Sequence, residues 1–182
     1  MIVVPGKCVY VGSPRSGSHF IYDVLEKAFP MAQRGKEHHA FISEVLTVKR
    51  MLGLPIYTVV RDPCEQLFSF YWNSLRKYKD RVVTTTFREF IEGRKPPQDA
   101  PYNRNTDFPP GALCTYRDVA DRFFPFELNF VTLFNELGIT DLPHVEPTRV
   151  ATEDYLAARN MITEEDRQLV YKYFEKDYAV MK

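Results

Sequence analysis

Cysteine is scarce in this chain, and any imbalance of charge is missing. Three cysteines, Cys8, Cys64 and Cys114, stand among 182 residues. An odd number at wide spacing supports neither a disulfide framework nor a metal cluster, and points to a reduced, cytoplasmic setting. The 24 basic and 24 acidic residues cancel, so no global basic field exists for nucleic acid or an anionic membrane, although a local basic pocket is compatible with that balance. No apolar run is long enough to span a bilayer. The opening "MIVVPGKCVYV" is apolar, but Pro5, Gly6 and Lys7 interrupt it too early for a signal peptide or an anchor. Internal repeats and low-complexity tracts are also missing.

What is present suits one compact domain over residues 1–182, since 45% of the residues are apolar. "CVYV" (8–11) reads as a buried strand with Ile2–Val4 as its lead-in. A helix follows from about Ser16 to Phe29, with Phe20, Ile21, Val24, Leu25 and Ala28 at helical spacing. "MAQRGKEHH" suggests a short strand running into a loop. Residues 40–52 form an amphipathic helix ended by Gly53, and "IYTVV" (56–60) is a buried β-branched strand. Asp62 then caps a helix that Pro63 begins and that runs to about Tyr78. "TTFREFIEG" reads as a short helix and "RKPPQDAPYNRNTDFPPG" (94–111) as a long loop. "TYRDVADRFF" is expected to be helical, "LNFVTLF" (128–134) a strand and "LPHVEPTRV" extended. Residues 163–178 predict a single helix capped by Thr163. Alternating strands and helices predict an α/β fold with a parallel sheet between helical layers.

One further absence is the most informative. Gly12 and Gly17 in "VGSPRSGSHF" have the spacing of a phosphate-binding loop between a strand and a helix, where backbone N–H groups and the helix N-terminus hold an anion. A nucleotide triphosphatase would follow Gly17 with Lys and then Ser or Thr, for the phosphates and Mg²⁺. Ser18 and His19 occupy those places, and the cation sits inside the loop as Arg15. The plain alternative is an ordinary turn, which Gly, Ser and Pro favour.

The loop "SPRSGS" resembles the 5′-phosphosulfate-binding loop of sulfotransferases, which carry Pro-(Lys/Arg)-Ser-Gly-(Thr/Ser) there and need no metal. "VVRDPCEQLFSFYW" is similar to a second segment of that family, Arg-(Asp/Asn)-Pro with a Ser eight positions after the Arg. The resemblance implies that Pro14, Arg15, Ser16, Gly17, Ser18 and His19 lie at the donor, 3′-phosphoadenosine 5′-phosphosulfate (PAPS). It assigns the 3′-phosphate to Arg61 and Ser69. The guanidinium fork suits phosphate oxygens. The bland alternative is an Arg61–Asp62 structural pair and a surface hydroxyl at Ser69. Lys36-Glu37-His38 matches the spacing of the family's Lys-Thr-His, with Glu in place of Thr. That implies His38 as the base, with Arg15 and Lys36 stabilising the leaving phosphate. Glu37 and His39 remain alternatives for the base, His39 reading more readily as a supporting residue.

The resemblance covers residues 8 to about 75, and the chain is short for the family. It implies a three-layer sandwich with a central parallel sheet, the P-loop NTPase-like sulfotransferase fold. The implied activity is sulfuryl transfer from PAPS to a hydroxyl on a carbohydrate or small molecule, without a metal, nucleic acid or a membrane span. Arg149 is a further candidate for the 3′-phosphate, and residues 94–111 for acceptor recognition. Phe20, Tyr71 and Trp72 read as packing, and His144 as a loop hydrogen-bonding residue. Two alternatives stand beside this reading: a P-loop nucleotide kinase or NTPase with a degenerate loop, and a nucleotide-binding module without turnover.

Overall fold

A computed structural model describes residues 1–35, 39–77, 86–93, 113–128, 130–145 and 152–181. The chain is α/β and folds as two compact units. One comprises Met1–Arg61 and Cys114–Thr148, and the other Asp62–Leu113 and Arg149–Val180.

The first unit holds five strands: β1 (Ile2–Val4), β2 (Cys8–Gly12), β3 (Gln33–Arg34), β4 (Ile56–Val60) and β5 (Arg122–Pro125). Their order is β3-β1-β2-β4-β5. β2, β4 and β5 run parallel, with Tyr10 opposite Tyr57 and Thr58 opposite Phe123. β1 is antiparallel to both its neighbours. The sheet is therefore mixed, where the sequence predicts parallel strands throughout. Ile2–Val4 does not lead into β2 but folds back on it, because Pro5-Gly6-Lys7 is a tight turn with Gly6 at φ 69° and the Lys7 N–H donating to the Val4 carbonyl at 3.0 Å.

Helices cover both faces of this sheet. Cys8 and Tyr10 of β2 pack with Ile21, Val24 and Leu25 of α1 (Ser18–Ala28) and with Leu133 and Phe134 of α2 (Val131–Glu136). Val9, Val11 and Ile56 point the other way, toward Val45 of α3 (Ile42–Leu52) and Tyr116. The alternation of a strand buried on both sides accounts for the continuous apolar run that made β2 and β4 legible.

Two expectations fail here. "TYRDVADRFF" is not a helix: its first half is a turn, and its second half begins β5. Asp121 decides this, since its carboxylate accepts from the Ile56 N–H at 2.7 Å and its own N–H donates to the Ile56 carbonyl at 2.8 Å, pinning β5 beside β4. "LNFVTLF" is not a strand: Phe126–Leu128 is a 3₁₀ turn, and α2 starts after Phe130. A short apolar run has no period long enough to separate the two states, and tertiary packing chooses.

The second unit is helical: α4 (Pro63–Lys77), α5 (Phe87–Gly93), α6 (Glu153–Asn160), α7 (Glu164–Tyr173) and α8 (Glu175–Ala179). Cys64, Leu67, Phe70, Ile91, Leu113, Val170 and Phe174 form its core. Asp62 caps α4, accepting from the Glu65 N–H at 3.0 Å. Thr163 caps α7, as the sequence predicts, with Asp166 returning the bond. The expected single helix over 163–178 is split at Phe174, whose φ and ψ of −117° and 38° leave the helical region. α6 is not among the predicted helices, although Thr152 caps it, accepting from the Tyr155 N–H at 3.3 Å.

Candidate functional site

The site grows from the end of β2. Gly12 is its last residue, and a Cβ built there would lie 2.1 Å from the Cβ of Ser18. Only glycine lets the loop close so tightly onto the start of α1. Arg15 and Gly17 both take left-handed backbone, at φ 62° and 71°. Gly17 opens α1, where no side chain caps the helix and no acid stands in its first turn. The positive end of the helix thus meets no protein carboxylate from its own first turn.

Three carbonyls of this loop, those of Gly12, Ser13 and Arg15, are occupied by donors. His39 places Nδ1 2.8 Å from the Gly12 carbonyl. The Ser13 carbonyl accepts from the Ser16 hydroxyl at 2.7 Å and from the Ser16 N–H at 3.3 Å. Arg61 Nη1 donates to the Arg15 carbonyl at 3.2 Å. Ser13 is buried and directs its own hydroxyl at Cys114 Sγ, 3.6 Å away.

Arg61 follows β4, the parallel neighbour of β2, so both segments emerge at the same end of adjacent strands. Its guanidinium lies 4.6 Å over the ring of Phe126, a cation–π contact that fixes the fork. The same aromatic cluster backs the loop: a Cβ at Gly17 would meet Phe130 at 2.7 Å and Phe126 at 3.1 Å.

Of the residues singled out in the sequence, Pro14, Arg15, Ser16, Gly17, Ser18, His19, His39 and Arg61 belong to this first unit. Ser16 and Ser18 are buried, so their side chains build the loop and their backbones are what it can present. His19 is exposed and Arg15 half-buried. Ser69 lies half-buried on α4, in the second unit. Lys36, Glu37, His38, Arg149 and residues 94–111 lie outside the described residues. Phe20 packs on Phe130 and Phe134, with ring centroids 5.7 and 6.5 Å away. Trp72 stacks on Phe68 at 6.3 Å and meets Tyr155 edge-on, as packing residues do. The His144 carbonyl accepts from Lys27 Nζ at 2.6 Å.

Burial lowers the pKa of His39 below the ordinary histidine range. The Gly12 carbonyl opposes that shift, and His19 adds to it. A carbonyl only accepts, so Nδ1 carries the hydrogen and neutral His39 keeps its lone pair on Nε2. Tyr22, on α1, was read in the sequence only as part of a helix. Its Oη accepts from the Gly12 N–H at 3.1 Å, and burial pushes its pKa up to about 12. Phe126 was equally unmarked. Neither residue has a motif of its own, and only the paired strands bring them to the loop.

Among the described residues no group of three or more His, Cys, Asp or Glu is placed to hold a metal ion. No helix among them is long and apolar enough to cross a membrane. No protein-family model, curated protein or solved structure matches the chain.

Proposed function

We propose that the chain is a sulfotransferase that moves a sulfuryl group from PAPS to the hydroxyl of a carbohydrate or small-molecule acceptor. One observation carries the reading. Arg61 Nη1 reaches the Arg15 carbonyl at 3.2 Å, so two motifs 46 residues apart in the chain meet at adjacent parallel strands. That meeting has no part in an ordinary turn, and it supports a donor that carries phosphates on both the 3′ and the 5′ position of its ribose.

The residues fit such an anion. Two left-handed positions, an uncapped helix start and three engaged carbonyls leave the loop to present N–H groups and the Arg15 charge. PAPS, when bound, supplies the sulfuryl group and a phosphate leaving group. Pro14 to His19 hold the 5′ side, with Arg15 and Lys36 countering the charge that grows on the leaving oxygen. Arg61 holds the 3′-phosphate. His38 takes the acceptor proton, since an imidazole near neutral pH is suited to it. The acceptor is read by residues 94–111.

The test is a thermal-shift titration with adenosine 3′,5′-bisphosphate, beside ATP with Mg²⁺, on wild type and Arg61→Ala. At a hundred times its dissociation constant a ligand adds about 2.7 kcal/mol of stability. The bisphosphate is expected to raise the melting temperature without metal, and Arg61→Ala to cancel the rise. A shift only with ATP and Mg²⁺ would replace this reading with a kinase or NTPase.

A further inference from the structure

We infer that Tyr22 and His39 are positioning residues that set the first peptide groups of the anion loop. The inference rests on the donor reading above.

The reason lies in the sheet. Along β2, the Val9 N–H donates toward β4, to the Pro55 carbonyl at 2.9 Å. Peptide groups alternate along a strand, so those of Tyr10 and Gly12 face β1. β1 begins with Ile2 opposite Tyr10. β2 therefore outruns its neighbour by one pair of peptide groups, both on Gly12, and buried backbone groups demand partners. Two side chains supply them. Tyr22 Oη accepts the Gly12 N–H at 3.1 Å, and His39 Nδ1 donates to the Gly12 carbonyl at 2.8 Å.

This substitution has a consequence for the loop. A peptide unit is planar and trans, so a Gly12 carbonyl held toward His39 turns the Ser13 N–H the opposite way. The carbonyls that follow are engaged in the same way, that of Ser13 by Ser16 and that of Arg15 by Arg61. An anion loop fails when a carbonyl turns inward, because its oxygen repels the ligand. Strand pairing would have locked the loop start rigidly. Two side chains do so instead, from α1 and from the segment ahead of α3.

The test separates donor geometry from imidazole chemistry. In His39→Asn the side-chain amide N–H falls near the place of Nδ1, whereas in His39→Gln it lies farther out. Calorimetric titration with adenosine 3′,5′-bisphosphate is expected to give wild-type affinity within about twofold for His39→Asn. His39→Gln and His39→Ala should bind about tenfold more weakly, the worth of one lost hydrogen bond, and Tyr22→Phe at least as weakly, since Tyr22 Oη also accepts from the Met1 ammonium at 3.0 Å. The Asn and Gln pair carries the test if Tyr22→Phe or His39→Ala does not fold. Wild-type affinity in His39→Gln overturns the inference while leaving the donor reading standing. Equal loss in Asn and Gln also overturns it, because the imidazole itself would then be required. Absence of bisphosphate binding by the wild type brings down the donor reading and this inference together.

Discussion

Among the described residues, the buried polar side chains of the first unit are hydroxyls, those of Ser13, Ser16, Ser18 and Thr58. In the second they are Glu65, Gln66, Asp166 and Asp177. The contrast follows from what each unit does with polar groups. Hydroxyls can satisfy a carbonyl without adding charge: Ser16 does so for Ser13, and Thr58 for Val11 at 2.8 Å. A carboxylate about 5 Å from a bound anion would oppose it by about 3 kcal/mol at an effective dielectric of 20. Among the described residues the first unit keeps its buried polarity neutral, and two arginines, Arg15 and Arg61, meet at the loop. The helical unit has no such restriction. Glu65 there takes Arg159 at 2.6 Å and Arg167 at 3.5 Å, and Asp166 takes Arg88 at 3.3 Å.

The comparison breaks most visibly at Gly12. Gly12→Ala drives a methyl against Ser18, where 2.1 Å is available, and should cost about 3 kcal/mol with loss of bisphosphate binding. Thermal unfolding of the variant checks it, and a wild-type melting point would mean that the loop is not closed tightly. Glu65→Gln is the counterpart in the helical unit. It leaves two arginines without their carboxylate, a loss of 3–5 kcal/mol for a fully buried pair. Arg159 and Arg167 are partly exposed, so solvent screening reduces the expectation to about 2 kcal/mol. Equal urea midpoints for variant and wild type would show that the buried carboxylate is not structural.

The sequence made the parallel core and the loop legible, because both are written in local terms. β-branched runs mark β2 and β4, Gly12 and Gly17 mark the turn, and Pro63 with Asp62 marks the next helix. What it hid depends on partners far along the chain. β5 exists because Asp121 binds the Ile56 backbone, 65 residues away. The break at Phe174 falls inside a helical pattern without a proline or glycine to announce it. Around the loop, Arg61 was readable from its motif. Tyr22 and Phe126 were not, since their contacts follow from strand order and not from spacing. His39 stood in view beside His38, and its bond to Gly12 became visible only with the fold.

A smaller effect of opposite sign comes from Arg15. Left-handed backbone costs a non-glycine residue about 1–2 kcal/mol, and Arg15 adopts it at φ 62°. Glycine relieves that strain but gives the unfolded chain more freedom. Arg15→Gly should therefore be about 0.5 kcal/mol more stable than wild type in denaturant unfolding, while binding the bisphosphate more weakly. A variant that loses stability would show that the Arg15 side chain packs for structure. Gain of stability with loss of affinity would mark Arg15 as a residue kept for the ligand at a structural cost.

The smallest expected effect is a pH dependence of stability from His39. Burial lowers its folded pKa below the ordinary value of 6.5. Above that value the ring is neutral in both the folded and the unfolded chain, and the group contributes no slope. As pH falls through 6.5, the unfolded chain binds the proton first, so stability decreases with falling pH. The decrease ends below the folded pKa, where both states are protonated. His39→Asn removes the titration while retaining a donor for the Gly12 carbonyl, so the difference between wild type and variant isolates the ring. Urea unfolding at a series of pH values from 7.5 downward should show wild type losing stability relative to His39→Asn below about 6.5. Parallel curves would mean that the ring is as well solvated in the folded loop as in the unfolded chain, and the contrast between a neutral loop side and a charged helical side would lose its nearest titrating group.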